Sequence, residues 1–93
     1  MEITEIKIRK IITEGKLRGI VSITFDSEFA VHDIKVVQGE NRLFVAMPSR
    51  RDDNGVFRDI CHPITINGRR DIENQILETY QRELDIRQLE QTD

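Results

Sequence analysis

Apolar residues in this chain change their spacing once, after Asn67, and that switch constrains the fold more than any other feature. Upstream of it, β-branched and other apolar residues alternate with polar ones in short runs. Downstream, Ile72, Ile76, Leu77, Tyr80 and Leu84 recur at three- and four-residue intervals, with Leu89 as an outlying member of the series. A spacing of two places side chains on one face of a strand, whereas a spacing near 3.6 draws one stripe along a helix. The sequence therefore predicts strands over about residues 2–62 and an amphipathic helix over about 67–88, about five to six turns long. A polar tail, Gln88 to Asp93, should fray. A helix with one apolar stripe needs something to cover. That gives an α+β fold, an antiparallel sheet of about five strands packed against a C-terminal amphipathic α-helix. Ninety-three residues leave room for a single domain, residues 1–93, with one core.

Within the strand half, Ile3, Ile6, Ile8 and Ile12 interleave with Lys7, Arg9 and Lys10, and Thr13-Glu14-Gly15-Lys16 supplies a turn. The next run carries Leu17, Gly19, Val21, Ile23 and Phe25 on one face until Asp26-Ser27-Glu28 interrupts it. In the third run Ala30, His32, Ile34 and Val36 alternate with Phe29, Val31, Asp33 and Lys35. Leu43 to Met47 is almost wholly apolar, the pattern of a central strand covered on both faces. Pro48 closes it, Ser49 to Gly55 reads as a polar loop, and Val56 to Cys61 reads as a fifth strand stopped by Pro63. The short connections imply an antiparallel meander.

Composition excludes several classes. Hydrophobic residues are 38% and charged residues 33%, too apolar for a disordered chain. No apolar run approaches the ~18 residues of a membrane span, and the opening MEITEIKIRK lacks a signal-peptide core. Cys61 is the single cysteine, which excludes an internal disulfide framework and fits a reducing compartment. A cytoplasmic protein without membrane contact is expected.

The net charge of −3 argues at first against a nucleic-acid partner, but the sum hides a division. Residues 1–41 total −1, residues 42–70 total +3, and residues 71–93 total −5. The middle segment holds Arg42, Arg50, Arg51, Arg58, Arg69 and Arg70 against Asp52, Asp53 and Asp59. Screening confines each charge to a Debye length of about 8–10 Å, so a local basic segment can bind phosphate whatever the total. Arg50-Arg51 follow a strand-ending proline, in a loop from which long side chains reach outward. Arg69-Arg70 fall in or just before the first helical turn, where free N–H groups already favour anions. The aromatic residues Phe25, Phe29, Phe44, Phe57 and Tyr80 all fall in predicted elements, so no exposed stacking platform for bases is evident. The bland alternative is that a chain with so many charges carries such clusters as ordinary solvated surface.

Catalytic patterns are thin. Cys61-His62 lies on a predicted strand, where neighbours point to opposite faces and do not pair as nucleophile and base. His32, His62, Asp33, Asp59 and Cys61 lack the paired spacing of a metal site, and suit structural hydrogen bonds better. No phosphate-cradling glycine loop or nucleophile elbow occurs. The expectation is no enzyme, no metal and no cofactor.

Three ordered stretches, VHDIKVVQG from Val31, LFVAMPSRR from Leu43 and NGVFRDICHPI from Asn54, closely resemble the SpoVG family of bacterial stage V sporulation and septation proteins. EITEIKIRKI and EGKLRGIVSITFDSEFAVHD resemble that family's N-terminal strands, so the likeness covers about residues 2–80. The resemblance implies a small homodimeric cytoplasmic protein that binds DNA and RNA directly and regulates expression in sporulation and septum formation. Dimerisation through a sheet edge would cover unpaired backbone groups and set two modest basic patches side by side. The family's basic pair after Met-Pro-Ser maps onto Arg50 and Arg51, and its basic helix start maps onto Arg69 and Arg70. Arg58, on a neighbouring strand, joins them as a further nucleic-acid-binding candidate. The alternative is a protein-interaction module of the division or sporulation apparatus, docking through its acidic helix and tail.

Overall fold

The computed structural model describes residues 1–90. Strands β1 (Ile3–Ile11), β2 (Leu17–Phe25), β3 (Phe29–Gln38) and β4 (Leu43–Ala46) form one antiparallel sheet in the order β1-β2-β3-β4. Strands β5 (Ser49–Arg51) and β6 (Phe57–Asp59) pair with each other in a separate hairpin, and helix α1 (Ile66–Glu90) follows. The α+β class, the antiparallel sheet and the C-terminal helix agree with the sequence reading.

The strand count and placement differ in detail. The fifth strand shortens to Phe57–Asp59, and its partner is Ser49–Arg51, the stretch expected to be a loop. Every residue of β5 and β6 is exposed, so neither strand has an apolar face to lay on the core. Strand β4 is also not central: among the described residues it pairs only with β3 and forms a sheet edge. Its apolar sequence has a different cause. Val45 is buried beneath the helix, while the Phe44 ring lies against Gly39, where a Cβ would stand 3.2 Å from Phe44 Cδ1.

The core forms where the period-two face of β2 meets the helix stripe. Val21, Ile23, Phe25, Ile34, Val36, Val45, Ile76 and Tyr80 are buried, with Ile6, Ile8, Ile72, Leu77 and Leu84 packed around them. Leu89, by contrast, is 72% exposed and takes no part, because the helix has run past the sheet by that point. Of the expected frayed tail, Gln88 to Glu90 belong to α1, and residues 91–93 lie outside the described residues.

Two local devices set the register. At the β2–β3 turn, Asp26 and Ser27 both take positive φ (51° and 56°) and Glu28 N–H donates to Phe25 O, the geometry of a tight hairpin turn. In β3, strict alternation breaks at His32-Asp33: Val31 pairs with Ile23 and Ile34 with Val21, so one extra residue is inserted. Asp33 absorbs it with φ of 62°, and Val31 joins Ile34 on the core face instead of opposing it.

The helix is held to the sheet at Gly19. A Cβ there would lie 3.0 Å from Tyr80 Cε1, so the absent side chain lets the ring sit on the β2 backbone. Tyr80 Oη donates to Arg18 O at 3.1 Å, and burial pushes its hydroxyl pKa up. At the other end, Thr65 caps α1: Gly68 N–H donates to Thr65 Oγ1 at 2.9 Å and Arg69 N–H to Thr65 O at 3.1 Å. These contacts fix where the helix start, and the arginines on it, stand relative to the sheet. No described helix is long and apolar enough to cross a membrane.

Candidate nucleic-acid interface

The five arginines singled out from the sequence resolve into two groups. Arg50, Arg51 and Arg58 share the β5–β6 hairpin, where Arg50 stands directly across from Arg58 and Arg51 from Phe57. Together with Asp52, Asp53 and Asp59 they line one hollow. Arg69 and Arg70 line a second hollow at the start of α1, with Arg42, Thr65 and Glu73. The two hollows have no lining residue in common.

The hairpin is built by its turn. Asp52 Oδ1 accepts from the N–H groups of Asn54 and Val56, each at 2.9 Å, and Gly55 takes φ of 81°, a value that suits glycine. The same carboxylate binds Arg58 Nε at 2.8 Å through Oδ2. That arginine holds the Asp52 carboxyl below its ordinary pKa, helped by the Val56 amide. Like charges directly opposite on paired strands repel, and Asp52 offsets that cost by neutralising Arg58. Arg50 and Arg51 are left without an ion pair among the described residues. The Arg51 guanidinium lies over Gly55, where a Cβ would be 3.3 Å from Nη2.

At the helix start, Arg42 Nη1 binds Glu73 Oε1 at 3.0 Å. Arg69 and Arg70 therefore keep their charge unpaired, again among the described residues. They sit at the junction of the first and second turns, and the first turn holds no acid. The helix dipole opposes cations most strongly within the first turn, so this position tolerates them.

Two side chains at these sites escaped the sequence reading. Phe57 is 69% exposed beside Arg51, and with Phe29, 64% exposed at the β2–β3 turn, it is an aromatic ring in open solvent where the sequence reading expected none. The signal was the polar composition of the hairpin, too short and too charged to bury a ring. Arg42 was counted in the basic segment, yet its meeting with the helix spans 31 positions and no local pattern reports it. Cys61 and His62 do not pair. Both line a small apolar hollow with Met47 and Ile72, and His62 Nδ1 donates to Pro63 O at 3.1 Å. His32 meets Ser22, a structural hydrogen bond between neighbouring strands. Among the described residues no group of three or more His, Cys, Asp or Glu could hold a metal ion.

A four-stranded sheet under one helix, with unpaired arginines displayed on a hairpin and a helix start, defines a small α+β protein whose charged chemistry lies on the surface. Comparison with known proteins places it further. The family model described as SpoVG matches residues 1–82. A relative named "Putative septation protein SpoVG" from Clostridium botulinum (strain Alaska E43 / Type E3) is 52% identical over 91 residues, 98% of this chain and 100% of its own. Relatives of the same name from Clostridium beijerinckii and Desulforudis audaxviator are 56% and 57% identical, over 88% and 87% of this chain and 90% and 92% of theirs. The chain belongs to the SpoVG family.

Proposed function

We propose that the protein is a homodimeric nucleic-acid-binding regulator, without enzymatic activity, acting on DNA or RNA in the control of septum formation and sporulation. One observation carries the reading: the β5–β6 hairpin stands apart from the main sheet and presents Arg50 and Arg51 unpaired, with exposed Phe57 beside them. A two-stranded ribbon has the dimensions to enter a major groove, and arginine is the side chain best suited to phosphate and guanine edges. Arg58, Arg69 and Arg70 flank it as secondary contacts. Septation enters through the relatives' printed name.

Two features support the homodimer. β1 pairs on one side only among the described residues, which leaves a nine-residue sheet edge to be covered. Ile60, Ile64 and Ile66 are each at least 67% exposed within seven residues, an apolar run that a second copy would shelter. Free Cys61 suits a reducing cytoplasm.

Fluorescence anisotropy on duplex DNA, single-stranded DNA and RNA tests the proposal. The wild type should bind at least one probe, and Arg50→Ala with Arg51→Ala should weaken that binding about tenfold or more, as expected for two lost phosphate contacts. Binding to none of the probes, or equal binding by the variant, overturns it. A second reading, a docking module for the division or sporulation apparatus, draws on the exposed acids Glu78, Glu83 and Asp85 of α1. A partner retained by the double arginine variant but lost on deleting Gln81 to Asp93 would favour that reading.

A further inference from the structure

The main sheet carries a second set of cations on the face turned away from α1. Register identifies that face. Val21 and Ile23 point into the core, so Ser22 between them points outward, and with it Lys7 directly across on β1. In the adjacent outward row, Lys10, Ile20, Lys35 and Ala46 stand in line across all four strands.

Two bulges build the surface. The first lies between Ile8 and Lys10, with Arg9 as the inserted residue. Without it Lys10 would face the core. With it, Lys10 turns outward beside Arg9. The second is the His32-Asp33 bulge, which brings His32 against Ser22. Arg9 Nε donates to Ser22 Oγ at 3.1 Å, and Ser22 Oγ shares a second hydrogen bond with His32 Nδ1 at 2.8 Å. Arg9, Ile20, Ser22, His32 and Asp33 line a shallow hollow there, with Arg9 held in place by a neutral partner.

Lys7, Arg9, Lys10 and Lys35 are all exposed, and none makes an ion pair among the described residues. Glu5, in the row of Thr24, and Asp33 at the hollow are the acids facing them. Lys10 and Lys35 are two strands apart, about 10 Å at the usual strand spacing, which is about one Debye length at 0.1 M salt.

We infer that this outer face is a second phosphate-binding surface, separate from the hairpin, that takes the backbone of single-stranded nucleic acid. The inference rests on the proposed nucleic-acid function. A flat sheet face offers no projecting element to enter a duplex groove, whereas a single strand can lie across it. Val37 and Phe44 occupy the outward row next to Lys35, and the half-buried Phe44 ring gives a base a surface to stack on.

The test compares Lys7→Gln/Lys10→Gln/Lys35→Gln with Arg50→Ala/Arg51→Ala, using oligothymidylate and a duplex of equal length, each long enough to span both surfaces. All three lysines are exposed, and circular dichroism checks that the variant remains folded. The lysine variant should lose about tenfold or more in affinity for oligothymidylate, its log–log salt slope should flatten by about 2, and its duplex binding should hold. Unchanged oligothymidylate binding by the lysine variant, with loss of duplex binding by the arginine variant, overturns this inference and leaves the proposed function standing. Equal loss on both probes overturns the single-strand assignment. Wild-type protein that binds neither probe overturns this inference, and the RNA probe then decides the proposed function.

Discussion

Replacing Gly19 with alanine should loosen the helix from the sheet, and a double-mutant cycle with Tyr80 can show why. The new methyl would stand 3.0 Å from Tyr80 Cε1, 3.2 Å from Lys10 O and 3.3 Å from Tyr80 Cδ1. Two of those atoms belong to a ring that is 3% exposed and tied by its hydroxyl to Arg18 O, so it has little room to withdraw. Overpacking of this kind costs about 1–3 kcal/mol, and the reduced freedom of the unfolded chain returns about 0.4–1 kcal/mol. A net loss of about 1–2 kcal/mol is expected for Gly19→Ala. Tyr80→Leu removes the ring and the hydrogen bond and should cost about 2–3 kcal/mol alone. In the double variant Cε1 is gone, so the combined loss should fall short of the sum by about 1 kcal/mol. Urea unfolding followed by circular dichroism reads all four corners, at one protein concentration so that any association is held constant. Additivity within about 0.5 kcal/mol would refute the claim that this contact seats the helix.

Other outcomes follow from local geometry. Thr65→Ala removes the Oγ1 that accepts from Gly68 N–H and should cost about 0.5–2 kcal/mol, with faster amide exchange confined to the first turn of α1. Thr65→Ser should restore most of that. Asp52 has its folded-state pKa held below 3.8, so its stabilisation of the hairpin is present above that value and lost as pH falls through the lower folded pKa. On acidification the Asn54 and Val56 amide resonances should therefore shift together, while core amides such as that of Val21 stay in place. Asp52→Asn should remove this acid transition.

The main sheet and the helix were legible because their burial follows a period. Val21, Ile23 and Phe25 on β2 and Ile76 and Tyr80 on α1 lie buried where spacing alone puts them. Legibility failed where burial stops. β5 is three residues long and wholly exposed, so no alternation marks it, although Asn54-Gly55 is a hairpin signal in its own right, and the strand expected over Val56 to Cys61 shortens to the exposed β6. The His32-Asp33 bulge shifts the face of Val31 through a single backbone angle that side-chain identity does not report. At the candidate site, sequence located the arginines but not their grouping. Arg50 meets Arg58 through strand pairing, and Arg42 meets Glu73 through the folding of the whole chain. Charge summed by segment likewise missed the outer sheet face, because residues 1–41 total −1 while Lys7, Arg9, Lys10 and Lys35 stand together on one surface.

The salt dependence of duplex DNA binding tests the central claim most directly. Each phosphate contact contributes about 0.9 to the slope of log affinity against log salt, so losing Arg50 and Arg51 should flatten it by about 1.8 per bound protomer. Wild type and Arg50→Ala/Arg51→Ala would be titrated over the same salt range, with unfolding curves confirming that both remain folded. A slope reduced by about 1.8, or about 3.6 where two protomers share one site, is the predicted result. A double variant with the wild-type slope and affinity would contradict the assignment of the hairpin arginines to the nucleic-acid backbone.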